Sequence, residues 1–178
     1  MTASFDRTQR KHLRRAERAG IVTGPATRDE IAEHMTAWAN APFLRQGRAP
    51  GWPEGTHLAI YDALAPSGAV LARAVRRDGE VLALTLNLRA GERLIAWEMG
   101  LSEAGRQVGA SALLAADGLQ LARKLGCTTF DLLTCPTPGI ATFKRSLGAE
   151  LQPRTVAQWT SAAVPTMPWA QPAMQRAF

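Results

Sequence analysis

The sequence predicts one α/β domain built on a mixed, mainly antiparallel (α+β-type) sheet with helices on both faces. The order of elements is the first reason: two helical patterns, a run of strand-like segments, then strand, helix, strand, helix, strand. The second is Asp78-Gly79 between two of those segments, a hairpin signal because both residues adopt positive φ readily. The third is one long amphipathic pattern, residues 107–125, set between strand candidates. A chain of 178 residues, 46% apolar and 20% charged, is large and apolar enough to bury a single core. That domain is expected over residues 1–161, with a Pro/Ala-rich tail over 162–178.

Taken in order, residues 6–19 read as a helix stopped by Gly20, and Ile21-Val22-Thr23 as a short strand. Thr27-Arg28-Asp29-Glu30 has capping-box spacing and opens a second helix. Ile31, Met35 and Trp38 share one face of it, and it should end near Ala41. From Pro42 to Gly55, three prolines and three glycines make a loop. Strands are expected at 57–62, 70–76, 81–88 and 93–99, the last alternating Leu94, Ala96, Glu98 against Ile95, Trp97, Met99. In the long helix, Leu114, Leu121 and Leu125 mark a buried stripe and Asp117, Gln120 and Lys124 a wet one. Gly126 stops it. A strand over 128–133, a helix over 140–147 ended by Gly148, and a last strand over 156–160 complete the pattern.

Composition excludes several classes. No apolar run approaches the ~18 residues that cross a bilayer. Met1 to Phe5 followed by Asp6 lacks the apolar stretch of a signal peptide, so a cytoplasmic protein is expected. Cys127 and Cys135 are too few for a disulfide framework, and His12, His34 and His57 show no metal-ligand spacing. No metal is expected. The net charge of +6 is local: residues 1–20 hold six cations against Asp6 and Glu17, leaving +2 for the rest. Arg7, Lys11, Arg14 and Arg18 fall at i, i+4, i+7 and i+11, one face of a helix. Such a stripe suits an RNA backbone, or is simply a solvated face.

Two segments carry the chemistry. Gly105-Arg106-Gln107-Val108-Gly109-Ala110-Ser111 joins a strand to the long helix. Small residues there let backbone N–H groups approach an anion, the helix N-terminus adds partial positive charge, and Arg106 can contact phosphate. The same glycines also suit a plain turn. The second segment is Ala141-x-Phe143-Lys144-x-x-x-Gly148.

Together, Arg106-x-x-Gly109-x-Ser111 and the Phe143-Lys144 run resemble the core of the GNAT acyltransferases. Serine stands at the family's last small turn position, and Lys144 at its usual tyrosine, the proton donor to a leaving thiolate. The Phe-Lys ending is similar to the FemAB-like (BioF2-like) branch. So are Leu13 to Ile21 in the opening helix, and Phe130-Asp131-Leu132 followed by Gly139. The resemblance spans roughly residues 7–150 and covers one lobe of the two found in peptidoglycan-building members. It implies a GNAT fold, and an aminoacyl group moved from aminoacyl-tRNA to a small amine or peptide with no tightly bound cofactor. The alternatives are transfer from acyl-CoA on the same fold and a non-catalytic RNA-binding module.

Amide formation from an activated ester needs a neutral amine, a positioned carbonyl and a bound oxyanion. Glu98 is the candidate base or amine-binding carboxylate, unless it faces solvent on an edge. Asp131 is the runner-up, unless it caps a turn. Lys144 could neutralise an oxyanion, an ester oxygen or a carrier phosphate. Arg106, Gly109 and Ser111 are the expected donor-phosphate contacts, and Arg7, Lys11, Arg14 and Arg18 the expected tRNA contacts. Cys135 has no histidine near it in sequence and reads as an incidental thiol.

Overall fold

The computed structural model describes residues 4–153. The strand expected at 156–160 and the tail at 162–178 lie outside these described residues. Among the described residues five strands form one sheet in the order β1-β2-β3-β4-β5. They are β1 (Val22–Pro25), β2 (Val70–Arg77), β3 (Glu80–Ala90), β4 (Arg93–Leu101) and β5 (Thr129–Asp131). Neighbours are antiparallel except β4 and β5, which are parallel. The parallel pair needs a crossover, and the helices α5 (Glu103–Gln107) and α6 (Ala110–Lys124) supply it. A mixed, mainly antiparallel α/β sheet is therefore what the chain forms.

The sheet separates two apolar clusters. On one side α1 (Arg7–Arg18), α6 and α7 (Pro138–Ser146) cover Val75, Leu82 and Ala83. On the other, α2 (Arg28–Glu30), a π-helical turn (Ile31–Met35), α3 (Thr36–Arg45) and α4 (Thr56–Leu64) cover Ala72, Ala74, Leu84 and Leu86. The start of α1 is set by Asp6, which accepts from the Gln9 N–H at 2.8 Å. The expected capping box is present, with Thr27 and Glu30 each accepting from the other's backbone N–H. At the β2–β3 hairpin both Asp78 (φ 52°) and Gly79 (φ 85°) adopt the left-handed region that a two-residue turn requires.

Five expectations are corrected. Residues 57–62 are helix α4, not a strand. His57 and Leu58 return to the core side at Tyr61 and Ala65, a helical spacing hidden by the short apolar run Leu58 to Tyr61, which suits a strand equally. The second helix continues through Pro42 to Arg45, because packing of Ala39 and Asn40 outweighs the backbone bond that proline removes. The long helix begins at Ala110, after the separate turn of helix α5. The strand expected over 128–133 is only three residues long, since the Asp131 carboxylate accepts from the Leu133 N–H (2.7 Å) and turns the chain away. Finally, Asp117 is buried rather than wet. It takes two hydrogen bonds from Arg73 on β2 (2.6 and 2.7 Å) and one from Thr23 on β1 (2.9 Å), tying α6 to the sheet.

Candidate active site

Interior strands are normally closed to solvent, and β2 and β3 are so at Ala74, Val75, Leu84 and Leu86. Strand β4 is different: Ile95 to Met99 are only half-buried, although β4 lies between β3 and β5. Register explains this. β5 pairs only with Arg93, Leu94 and Ile95, then leaves, while β4 runs on to Leu101. The two strands part, and among the described residues nothing pairs with the β5-side edge of β4 beyond Ile95, an edge that suits an extended or planar ligand.

Two bulges arrange side chains along that opening. Pairing slips between Leu86↔Glu98 and Asn87↔Ala96, so Trp97 is an extra residue on β4. Strict alternation is broken, and Trp97 and Glu98 both face the α2–α4 side, in place of the opposite faces that the sequence suggested. Thr85 holds the bulge, its hydroxyl donating to the Glu98 carbonyl at 2.9 Å. The second bulge, at Leu82 on β3, presents a carbonyl that accepts from both the N–H and the hydroxyl of Ser102 (3.0 and 2.9 Å). A Cβ at Gly105 would stand 2.1 Å from that same oxygen, so only glycine lets α5 dock there.

Beyond α5, Gly109 opens α6 in the left-handed region (φ 72°) with no side-chain cap and no acidic residue in the first turn. The first amides of a helix have no intrahelical acceptor, so this start keeps its partial positive charge for an anion. Ser111 sits in that first turn. Arg106 is engaged locally, giving two hydrogen bonds to Glu103 (2.6 and 3.2 Å) and one to the Leu101 carbonyl (3.1 Å). The ring of His12 on α1 borders Gly109, 3.5 Å from where a Cβ would be. Arg7, Lys11, Arg14 and Arg18 are all exposed on α1, about opposite its buried Leu13 and Ala16 on the helical wheel.

Lys144 and Asp131 stand at the end of β5, where Asp131 is the register partner of Ile95. The Lys144 ammonium donates to the carbonyls of Leu132 and of Thr134 (2.5 Å for the latter). Burial lowers its pKa, with Cys135 and Asp131 opposing that shift. Asp131 pairs with Arg93 (3.2 Å) and caps its own turn. These residues and Cys135 line a cavity of about 1240 Å³ between β5, α7 and residues 147–153, and neither Glu98 nor Gly109 reaches it. Glu98 thus sits with Trp97 on the β4 bulge, while Lys144 and Asp131 lie on the β5 side of the gap between the two strands.

Around Glu98 stand residues that sequence reasoning missed. His57 of α4 is buried, with Nε2 at 3.9 Å from the Glu98 carboxylate. Trp52 meets its ring edge-on at 5.3 Å and Trp97 lies 5.7 Å away. Trp52 is fixed because its N–H and carbonyl form a closed pair of hydrogen bonds with the Asn40 amide (2.9 and 2.8 Å). Helical spacing in residues 57–65 was the available signal. Among the described residues, no helix is long and apolar enough to cross a membrane.

A family profile described as an acetyltransferase (GNAT) domain matches residues 3–145. No curated protein matches the chain in sequence. Among solved structures, FemX superposes with a TM-score of 0.71 at 16% identity, covering 83% of this chain and 55% of its own. The chain therefore spans little more than half of FemX. The aminoglycoside acetyltransferase AAC(6')-Iy, solved with a CoA-based bisubstrate analogue, gives a TM-score of 0.62 at 16% identity over 79% of this chain and 98% of its own. AAC(6')-Ih from Acinetobacter baumannii gives 0.59 at 15% over 80% and 99%. At such identities these likenesses speak to the fold.

Proposed function

Because the chain belongs to the acetyltransferase (GNAT) domain family, and so to the acyltransferases, we propose that it forms an amide by moving an aminoacyl group from aminoacyl-tRNA onto a small amine or peptide. The observation that carries the acyl-transfer reading is the opened edge of β4, with Glu98 projecting from the bulge beside it. The acyl group lies along that edge, where β4 amides meet its carbonyl oxygen. Glu98 takes one proton from the incoming ammonium, and the neutral amine attacks the ester carbonyl. The tetrahedral intermediate then collapses with breakage of the acyl C–O bond, and the departing tRNA 3′ oxygen takes up the second amine proton and leaves as the hydroxyl. An α-amine with a pKa of about 8 needs only that much help. The donor's phosphates rest on the start of α6 at Gly109 and Ser111, with Arg106 joining them once it leaves Glu103. Lys144 holds the loop that leaves β5, since its ammonium is spent on two carbonyls.

The exposed stripe on α1 supports tRNA as the donor. The second reading, acyl-CoA, is supported by the uncapped start of α6, which suits a pyrophosphate as well as an RNA phosphate. Turnover tests with aminoacyl-tRNA and with acetyl-CoA against a panel of primary amines separate the two. Binding gives an independent check. The quadruple change Arg7→Ala, Lys11→Ala, Arg14→Ala and Arg18→Ala should weaken tRNA binding at least about 10-fold and flatten its salt dependence. Unchanged affinity and slope would leave the stripe a solvated face and move the choice to acyl-CoA.

A further inference from the structure

We propose that His57 is a positioning residue for the transfer, its Nε2–H aimed at the Glu98 carboxylate so that the carboxylate is held toward the open edge of β4. The proposal rests on Glu98 being the proton acceptor.

His57 has no exposed surface. Its Nδ1 lies 2.9 Å from the Thr36 hydroxyl, while Nε2 has no hydrogen-bond partner among the described residues. The groups around the ring are Thr36 from α3, Trp52 from the loop after α3, and Trp97 and Glu98 from β4. Among these groups Glu98 is the one that can accept from Nε2, at 3.9 Å. The two neutral tautomers differ sharply here. With the proton on Nδ1, a bare nitrogen lone pair would face a carboxylate inside an aromatic wall. With the Thr36 hydroxyl donating to Nδ1, the proton sits on Nε2 and points at Glu98. The second arrangement pairs every polar atom with its complement.

At 3.9 Å the contact is not yet a hydrogen bond, and closing it takes a side-chain shift of about 1 Å. The other carboxylate oxygen already accepts from the Met99 N–H at 3.3 Å. Anchored at both oxygens, Glu98 keeps one orientation and still has lone pairs for an ammonium, because a carboxylate offers about four acceptor sites. Trp52 and Trp97 exclude water from the back of the pair, which preserves the anchor.

Two variants separate positioning from packing. His57→Phe fills the space without a donor, and His57→Gln returns an amide N–H near the position of Nε2. With whichever donor, aminoacyl-tRNA or acetyl-CoA, supports turnover of the wild-type chain, His57→Phe should lower kcat about 10- to 100-fold with KM for that donor unchanged. His57→Gln should recover most of the loss. In a Glu98→Gln background, His57→Phe should cost nothing more. Equal losses in both backgrounds, or no loss in either, overturn the proposal. A measurement without substrate guards against a variant that fails to fold. Ring 15N resonances of the wild-type protein should show His57 protonated at Nε2, and Glu98→Gln should move that resonance. Protonation at Nδ1 overturns the pairing alone, whereas a wild-type chain that turns over neither donor overturns the acyl-transfer reading itself.

Discussion

Replacing Glu98 by glutamine is expected to lower kcat for amide formation by about 10²- to 10³-fold near neutral pH, with KM for the acyl donor nearly unchanged. Glutamine has the same shape and keeps the oxygen that accepts from the Met99 N–H, so the bulge at Trp97 and the course of β4 survive. What it lacks is basicity. An ammonium arriving at the open edge then has no acceptor for its proton, and only the small neutral fraction in solution reacts. The deficit should therefore narrow as pH rises past about 8, where an α-amine deprotonates unaided. A pH–rate series on wild type and Glu98→Gln reads this directly. Equal rates across the series would mean that Glu98 is a bystander, and attention would pass to the cavity around Lys144 and Asp131.

That prediction depends on a feature the sequence states only indirectly. Alternation along 93–99 placed Glu98 with Leu94 and Ala96, which is right for a regular strand. A bulge has no residue signature of its own here; it arises because Thr85 binds the Glu98 carbonyl from the adjacent strand. His57 and Trp52 were hidden for a related reason. Leu58 to Tyr61 form a short unbroken apolar run that passes for a strand as readily as for a helix, so the helix that carries His57 to β4 was not visible from residues 57–62 alone. By contrast, the Asp78-Gly79 hairpin, the Thr27 capping box and the Asp6 and Gly20 boundaries of α1 are local, and local chemistry is readable. The small-residue turn around Gly109 was legible as an entry to the long helix, although the helix begins at Ala110 and not near Gln107, while Gly105 owes its place to a carbonyl 23 residues earlier in the chain, at Leu82. Lys144 shows the limit of motif reading. Its place in the family's helix was recognised, yet the carbonyls that occupy its ammonium belong to a loop ten and twelve residues away.

The largest expected loss of stability comes from Asp117, which looked like a surface acid. Its carboxylate is 7% exposed and the Arg73 side chain 18%, so the pair is largely removed from water. Bidentate geometry at 2.6 and 2.7 Å, with the Thr23 hydroxyl at 2.9 Å, offsets the desolvation of both charges. Asp117→Ala strands the Arg73 cation against α6, and should cost about 3–5 kcal/mol. For a domain of this size that lowers Tm by about 6–20 °C. Asp117→Asn keeps one acceptor for Arg73 and Thr23 and should lose less. Removing both charges, as in Arg73→Met with Asp117→Leu, should restore most of the stability, because the cost lies in the unpaired ion rather than in the missing bond. Thermal and urea unfolding of the four proteins decides it, and an Asp117→Ala chain as stable as wild type would show that water reaches Arg73. The consequence for function follows from α6 itself. Asp117 ties to β1 and β2 the helix that Gly109 opens, so loosening it should raise KM for the acyl donor before the protein unfolds.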